Sequence, residues 1–139
     1  MEMSGFIIDV QLGIKQALDM PDLWRKAITR LMAEFPGSLA NIESAFAEQR
    51  VADIRQHAHY QSGQVNFCGT PMLQRAIQAL EFACVYTPDR IEERLEELKT
   101  AFATLEEFVE LHGIPDAEEI LQIAYDRTSA VGLSGEMQD

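Results

Sequence analysis

Apolar residues recur along this chain at the three- and four-residue intervals of a helix, and nowhere with the period-two alternation of a strand. Leu23, Trp24, Ala27, Ile28, Leu31 and Phe35 form a strong amphipathic stripe. Pro36-Gly37 interrupts it, where local rules place a break or a kink, and the pattern resumes with Leu39, Ile42, Ala45 and Phe46. Val51, Ile54, Ala58, Val65 and Cys68 make a second stripe, with polar Gln61 in the same register. This helix is expected to start at Arg50–Asp53 and to end near Phe67 to Gly69. Thr70-Pro71 and Thr87-Pro88 read as restarts, a threonine N-cap followed by proline in the first turn. The first opens a helix with Leu73, Ala76, Ile77, Leu80, Ala83 and Cys84 inside; the second opens one with Ile91, Leu95, Leu98, Phe102, Leu105 and Val109 inside, ended by Gly113. Upstream, Phe6 to Leu18 predicts a short helix with Phe6, Val10, Ile14 and Ala17 on one side. Asp19-Met20-Pro21 breaks it, and Asp19 or Met20 can cap the next helix. Pro115 to Glu119 predicts the start of a last helix, and from Thr128 a flexible acidic tail is expected.

Composition narrows the class. With 139 residues the chain is expected to be one domain, over 1–127, ahead of the tail at 128–139. No apolar run approaches the ~20 residues that cross a bilayer. The start, Met1 to Gly5, has no basic, signal-like character. Together with the frayed end it favours a free-standing, cytoplasmic protein. Cys68 and Cys84 sit in apolar helical registers, as small core residues in a reducing compartment rather than a disulfide or metal pair. The formal net charge of −12 shows no clustered positive face, which argues against nucleic acid and anionic membranes as partners. Glu92, Glu93, Glu96, Glu97, Glu106, Glu107 and Glu110 read as a solvated helix face. There is no Gly-rich phosphate loop, kinase signature, Ser-His-Asp arrangement or zinc spacing, so the chain is no kinase on its own.

The candidate chemistry lies in Ala58-His59-Tyr60-Gln61-Ser62-Gly63-Gln64-Val65-Asn66-Phe67-Cys68-Gly69. At 100° per residue, Arg55, His59, Ser62, Gly63 and Asn66 fall on the flank of the apolar stripe. A glycine inside a helix costs about 1 kcal/mol relative to alanine. One turn after His59, Gly63 removes a side chain that would crowd the imidazole; equally, it fits a bend or a close helix contact. His57 is two places from His59 and cannot share a metal with it on one helix, and His112 suits a helix C-terminus. No metal site is expected.

This stretch resembles the histidine-containing phosphotransfer (HPt) domains of bacterial multistep phosphorelays. Their motif is a His, a Lys three places on, a Gly four places on and a Gly ten places on, with a small-Asn-Phe/Leu-Gly segment. Ala58, His59, Gly63, Asn66-Phe67 and Gly69 match, while Ser62 stands at the lysine position. Asp9 to Ile14 is similar to the family's opening segment, Phe35-Pro36 falls where its long helix often carries proline, and Leu80-Glu81 is similar to its Leu-Glu signature. The resemblance spans roughly residues 6–112 and implies that 21–49 is one long, kinked helix. It also implies an all-α, antiparallel up-down-up-down four-helix bundle with core about 21–112, helices near 21–49, 51–68, 71–86 and 88–112, a short N-terminal helix and an extra C-terminal helix.

The resemblance further implies a phosphorelay intermediate. A response-regulator receiver domain, fed by a hybrid sensor histidine kinase, passes its aspartyl phosphoryl group to His59, which hands it to a second receiver. Nε2 of His59 attacks, and Glu81, twenty-two places on, orients the ring through Nδ1. Arg55, Tyr60, Ser62, Gly63, Gln64, Asn66 and Phe67 are expected to border the partner. No cofactor is expected here; Mg²⁺ belongs to the partner receiver. The protein is expected to be a monomeric carrier rather than an enzyme. Ser62 brings no charge to the phosphoryl oxygens, which keeps a relay-inactive bundle that only binds a receiver or another signalling partner as the alternative. An unrelated helical adaptor and a histidine-kinase dimerisation domain are weaker readings.

Overall fold

The computed structural model describes residues 6–114. The expected helix from Pro115 and the tail at 128–139 lie outside the described residues. Within them the chain is helical, with no strand. We label the helices α1 (Val10–Gln16), α2 (Pro21–Ala47), α3 (Val51–Val65), α4 (Pro71–Tyr86) and α5 (Ile91–His112), the last preceded by a 3-10 turn at Pro88–Arg90. Successive helices pack on one another, and α5 also meets α2, so the contacts among α2, α3, α4 and α5 close into a ring. No helix among the described residues is long and apolar enough to cross a membrane.

The stripes read from the sequence supply the core, with one correction: Leu23, at the outer edge of the α2 stripe, is exposed. Trp24, Ile28, Leu31, Phe35, Ile42 and Ala45 of α2 are buried, with Ile54, Ala58 and Val65 of α3, Leu73, Ile77, Leu80 and Ala83 of α4, and Leu95, Leu98, Phe102 and Leu105 of α5. Full burial of such side chains is worth about 1.5–3 kcal/mol each. α2 runs through Pro36 without a break. The proline withdraws one backbone donor, a cost of about 3 kcal/mol. Buried Phe35, stacked on Phe102 at 4.6 Å between centroids, and buried Ile42 anchor the helix to the core on both sides of Pro36. Polar Gln61 lies in the apolar stripe of α3 because its amide donates to Ser38 Oγ of α2 at 2.5 Å. The glutamate face of α5 is solvent-exposed apart from half-buried Glu106.

Four boundaries differ from the sequence reading. The expected helix over Phe6–Leu18 is interrupted at Ile8-Asp9. Asp9 is extended and caps α1, its carboxylate accepting from Leu12 N–H at 3.0 Å, while its own N–H donates to Gly69 O at 2.7 Å. The regular part of α3 ends at Val65, and residues 66–69 are turns. Thr70 and Thr87 precede their helices, but neither side chain makes a capping bond. Thr70 Oγ1 is buried with no partner. The helix expected from 88 begins as the 3-10 turn.

The end of α3 is tied to the N-terminal segment. Gly69 has φ +64°, and a Cβ there would stand 2.4 Å from Asp9 O and 2.6 Å from Gly13 Cα. Only glycine fits. Its N–H donates to Gln16 Oε1 at 2.9 Å. Trp24 Nε1 donates to Cys68 O at 2.8 Å, lying where a side chain on Gly13 would stand. Both cysteines are free and buried; burial pushes the Cys68 thiol up to about 12, and its Sγ donates to Gln64 O.

Candidate functional site

Helix α3 carries His59 on its exposed flank, directly beside α4. Ala58 and Ile54 fix the rotation of the helix by burial, which turns residue 59 outward along the α3–α4 seam. The His59 side chain is 81% exposed. Its Nδ1 lies 3.1 Å from Glu81 Oε2, and Glu81 is only 23% exposed. Glu81 follows Ile77 by one turn and stands next to buried Leu80, so the α4 core stripe places its carboxylate at the seam. A carboxylate in its ionised form only accepts hydrogen bonds, so facing such a carboxylate Nδ1 is the donor of this contact. The Nε2 lone pair is then free on the far side of the ring. A neutral imidazole with this tautomer, exposed and held from behind, is a nucleophile.

The neighbours of His59 divide into two groups. By register, Arg55, Ser62, Gly63 and Asn66 share its flank of α3. Arg55, Gly63 and Asn66 are exposed, and Ser62 is half-buried. Asn66 Oδ1 accepts from Gln74 of α4 at 2.8 Å, which pins the end of α3 to α4. Ala52, Arg55, Gln56 and His59 line a solvent-open depression of about 340 Å³. A Cβ on Gly63 would meet nothing within 4 Å, so neither helix packing nor a bend at positive φ requires this glycine. Gln64 and Phe67 lie elsewhere. They line a cleft with Ala17, Leu23, Lys26, Ala27 and Arg30, on the α2 side. Tyr60 is exposed. His57 is half-buried, and His112 ends α5 against the Phe108 ring at 4.5 Å.

One group escaped the sequence reading. Phe82, Val85 and Tyr86 of α4 are exposed, with Phe82 and Tyr86 in ring contact at 4.8 Å. Val85 lies one turn beyond Glu81 on the same face. The signal was present: these apolar residues fall off the Leu80–Ala83–Cys84 stripe, which leaves them no core to enter.

No protein-family model and no curated protein matches the sequence. A solved structure does match the fold. The HPT domain of a sensor hybrid histidine kinase from Shewanella aligns with a TM-score of 0.61 and 23% sequence identity, over 75% of this chain and 94% of that one. The chain has the all-helical fold of a histidine-containing phosphotransfer domain.

Proposed function

We propose that the protein is a phosphorelay intermediate that takes a phosphoryl group on His59 from a receiver-domain aspartate and gives it to another receiver. The observation that carries this reading is an exposed imidazole whose Nδ1 is engaged by Glu81, on a bundle with the HPt fold. In the forward step the Nε2 lone pair forms a bond to phosphorus. The bond from phosphorus to the aspartyl oxygen breaks, and its electron pair leaves on the aspartate carboxylate. The imidazole becomes cationic, keeps its Nδ1 proton, and is stabilised by Glu81. Transfer onward reverses these changes. Positioning and electrostatics carry such transfers, and the metal-assisted part belongs to the receiver with its Mg²⁺.

The helices are assigned an antiparallel up-down-up-down order, supported by the ring of contacts and the short connections. The receiver docks over the α3–α4 seam, with Arg55, Ser62, Gly63 and Asn66 around His59 and Phe82, Val85 and Tyr86 as an apolar border. Tyr60, Gln64 and Phe67 extend the surface towards α2. The protein acts as a monomeric, cytoplasmic carrier without kinase activity, supplied by a hybrid sensor kinase.

The test is phosphotransfer from radiolabelled receiver domains encoded in the same genome. Acid-labile, base-stable label on the wild type and none on His59→Gln is expected. Label retained by His59→Gln moves the site elsewhere. Binding without label on any pairing favours the relay-inactive module that uncharged Ser62 keeps open.

A further inference from the structure

We propose that Arg55 is the cation that faces the phosphoryl group on His59 Nε2, supplying from the preceding turn the charge that Ser62 lacks. This inference rests on the phosphorelay reading and names the anion-binding residue of that site. Residues four apart share a helix face, and helical side chains lean towards the N-terminus, so the imidazole leans towards Arg55. Glu81 holds Nδ1 from the α4 side, which leaves Nε2 at the opposite edge of the ring. The depression lined by Ala52, Arg55, Gln56 and His59 adjoins this ring. Its about 340 Å³ equals roughly ten water volumes, room for a phosphoryl group with its hydration.

The charge of Arg55 is also available. Arg30, Arg50, Arg90, Arg94 and Lys99 each pair with a carboxylate. Among the described residues Arg55 makes no ion pair, in a chain of net charge −12. Burial raises the Cys84 thiol, and Arg55 works against that rise while Glu81 adds to it. A guanidinium offers paired donors to phosphate oxygens, which a hydroxyl at residue 62 cannot match in number or charge.

The experiment phosphorylates His59 chemically with phosphoramidate and follows the phosphorus-31 shift against pH, using His59→Gln as the blank. A nearby cation favours the dianion, so the wild-type midpoint is expected about half a unit below that of Arg55→Gln. Arg55→Lys should keep the low midpoint, and Ser62→Lys added to Arg55→Gln should restore it. Equal midpoints for wild type and Arg55→Gln overturn the role of Arg55 and leave the relay reading standing. A midpoint that moves in Ser62→Ala but not in Arg55→Gln assigns the contact to Ser62 instead. Absence of phosphohistidine at residue 59 in the wild type, with phosphoramidate and with phosphorylated receivers alike, overturns the relay reading itself.

Discussion

At the scale of single residues, the His59–Glu81 pair and Gly63 carry different kinds of information. On the proposed phosphorelay reading, Glu81 acts through the imidazole, by fixing its tautomer and offsetting the charge that develops on it. Glu81→Ala is therefore expected to slow phosphotransfer roughly 10- to 100-fold, with the melting temperature little changed. Glu81→Gln, which retains an acceptor, should recover part of that loss in the same rate assay. Gly63 lies in open space at an ordinary helical φ, so the fold does not need it. Gly63→Ala should stabilise the protein by about 1 kcal/mol in urea titration, because alanine is the better helix former. Gly63→Leu should fold as well but cut transfer from a receiver at least tenfold by blocking the approach to His59. A Gly63→Leu protein with full transfer would show that nothing bulky approaches over residue 63. The histidine and the glycine were legible in the sequence from helical register and motif spacing, and Glu81 as the histidine's partner from the resemblance to HPt domains. The absence of an ion pair at Arg55 was not, because the pairs made by Arg30, Arg50 and Lys99 span surface residues whose rotamers a sequence does not fix.

At the scale of elements, α3 is defined as much by what stops it as by its stripe. Residues 66–69 turn away from the helix because Gly69 adopts a left-handed conformation against Asp9 and Gly13, with its N–H on Gln16. Gly69→Ala is expected to destabilise the protein by roughly 3 kcal/mol, combining left-handed strain with a clash against backbone. The loss would appear as a lower urea midpoint, and an unchanged midpoint would mean that the α1–α3 junction is loose. The sequence placed Gly69 by motif but not by mechanism, since its contacts come from residues more than fifty positions away. The same long-range junction broke the expected Phe6–Leu18 helix: Asp9 caps α1 and bonds Gly69 rather than continuing a helix. Local rules misjudged Pro36 in the other direction. A proline in mid-helix reads as punctuation, yet the burial of Phe35 against Phe102 of α5 and of Ile42 in the core outweighs one missing backbone bond. Thr70 and Thr87 do stand at the N-cap positions with proline in the first turn, but neither hydroxyl caps its helix, and Thr70 Oγ1 is buried without a partner.

At the scale of the whole molecule, a ring of helices exposes the His59 imidazole at the α3–α4 seam of an otherwise acidic body. The excess of carboxylates is spread over solvent-facing surfaces such as that of α5, while the α3–α4 seam presents an imidazole, and α4 exposes Phe82, Val85 and Tyr86. The fold was legible because four strong stripes with clear punctuation admit few packings. The aromatic border on α4 was legible only as residues left over from a core stripe. All these features converge on one nitrogen atom. The most direct measurement is nitrogen-15 NMR of the protein after phosphotransfer from a receiver, resolving which ring atom of which histidine bears phosphorus. Phosphorus bonded to Nε2 of His59, with Nδ1 still protonated against Glu81, is the predicted result. Phosphorus on Nδ1 of His59, or on His57 or His112, would contradict it.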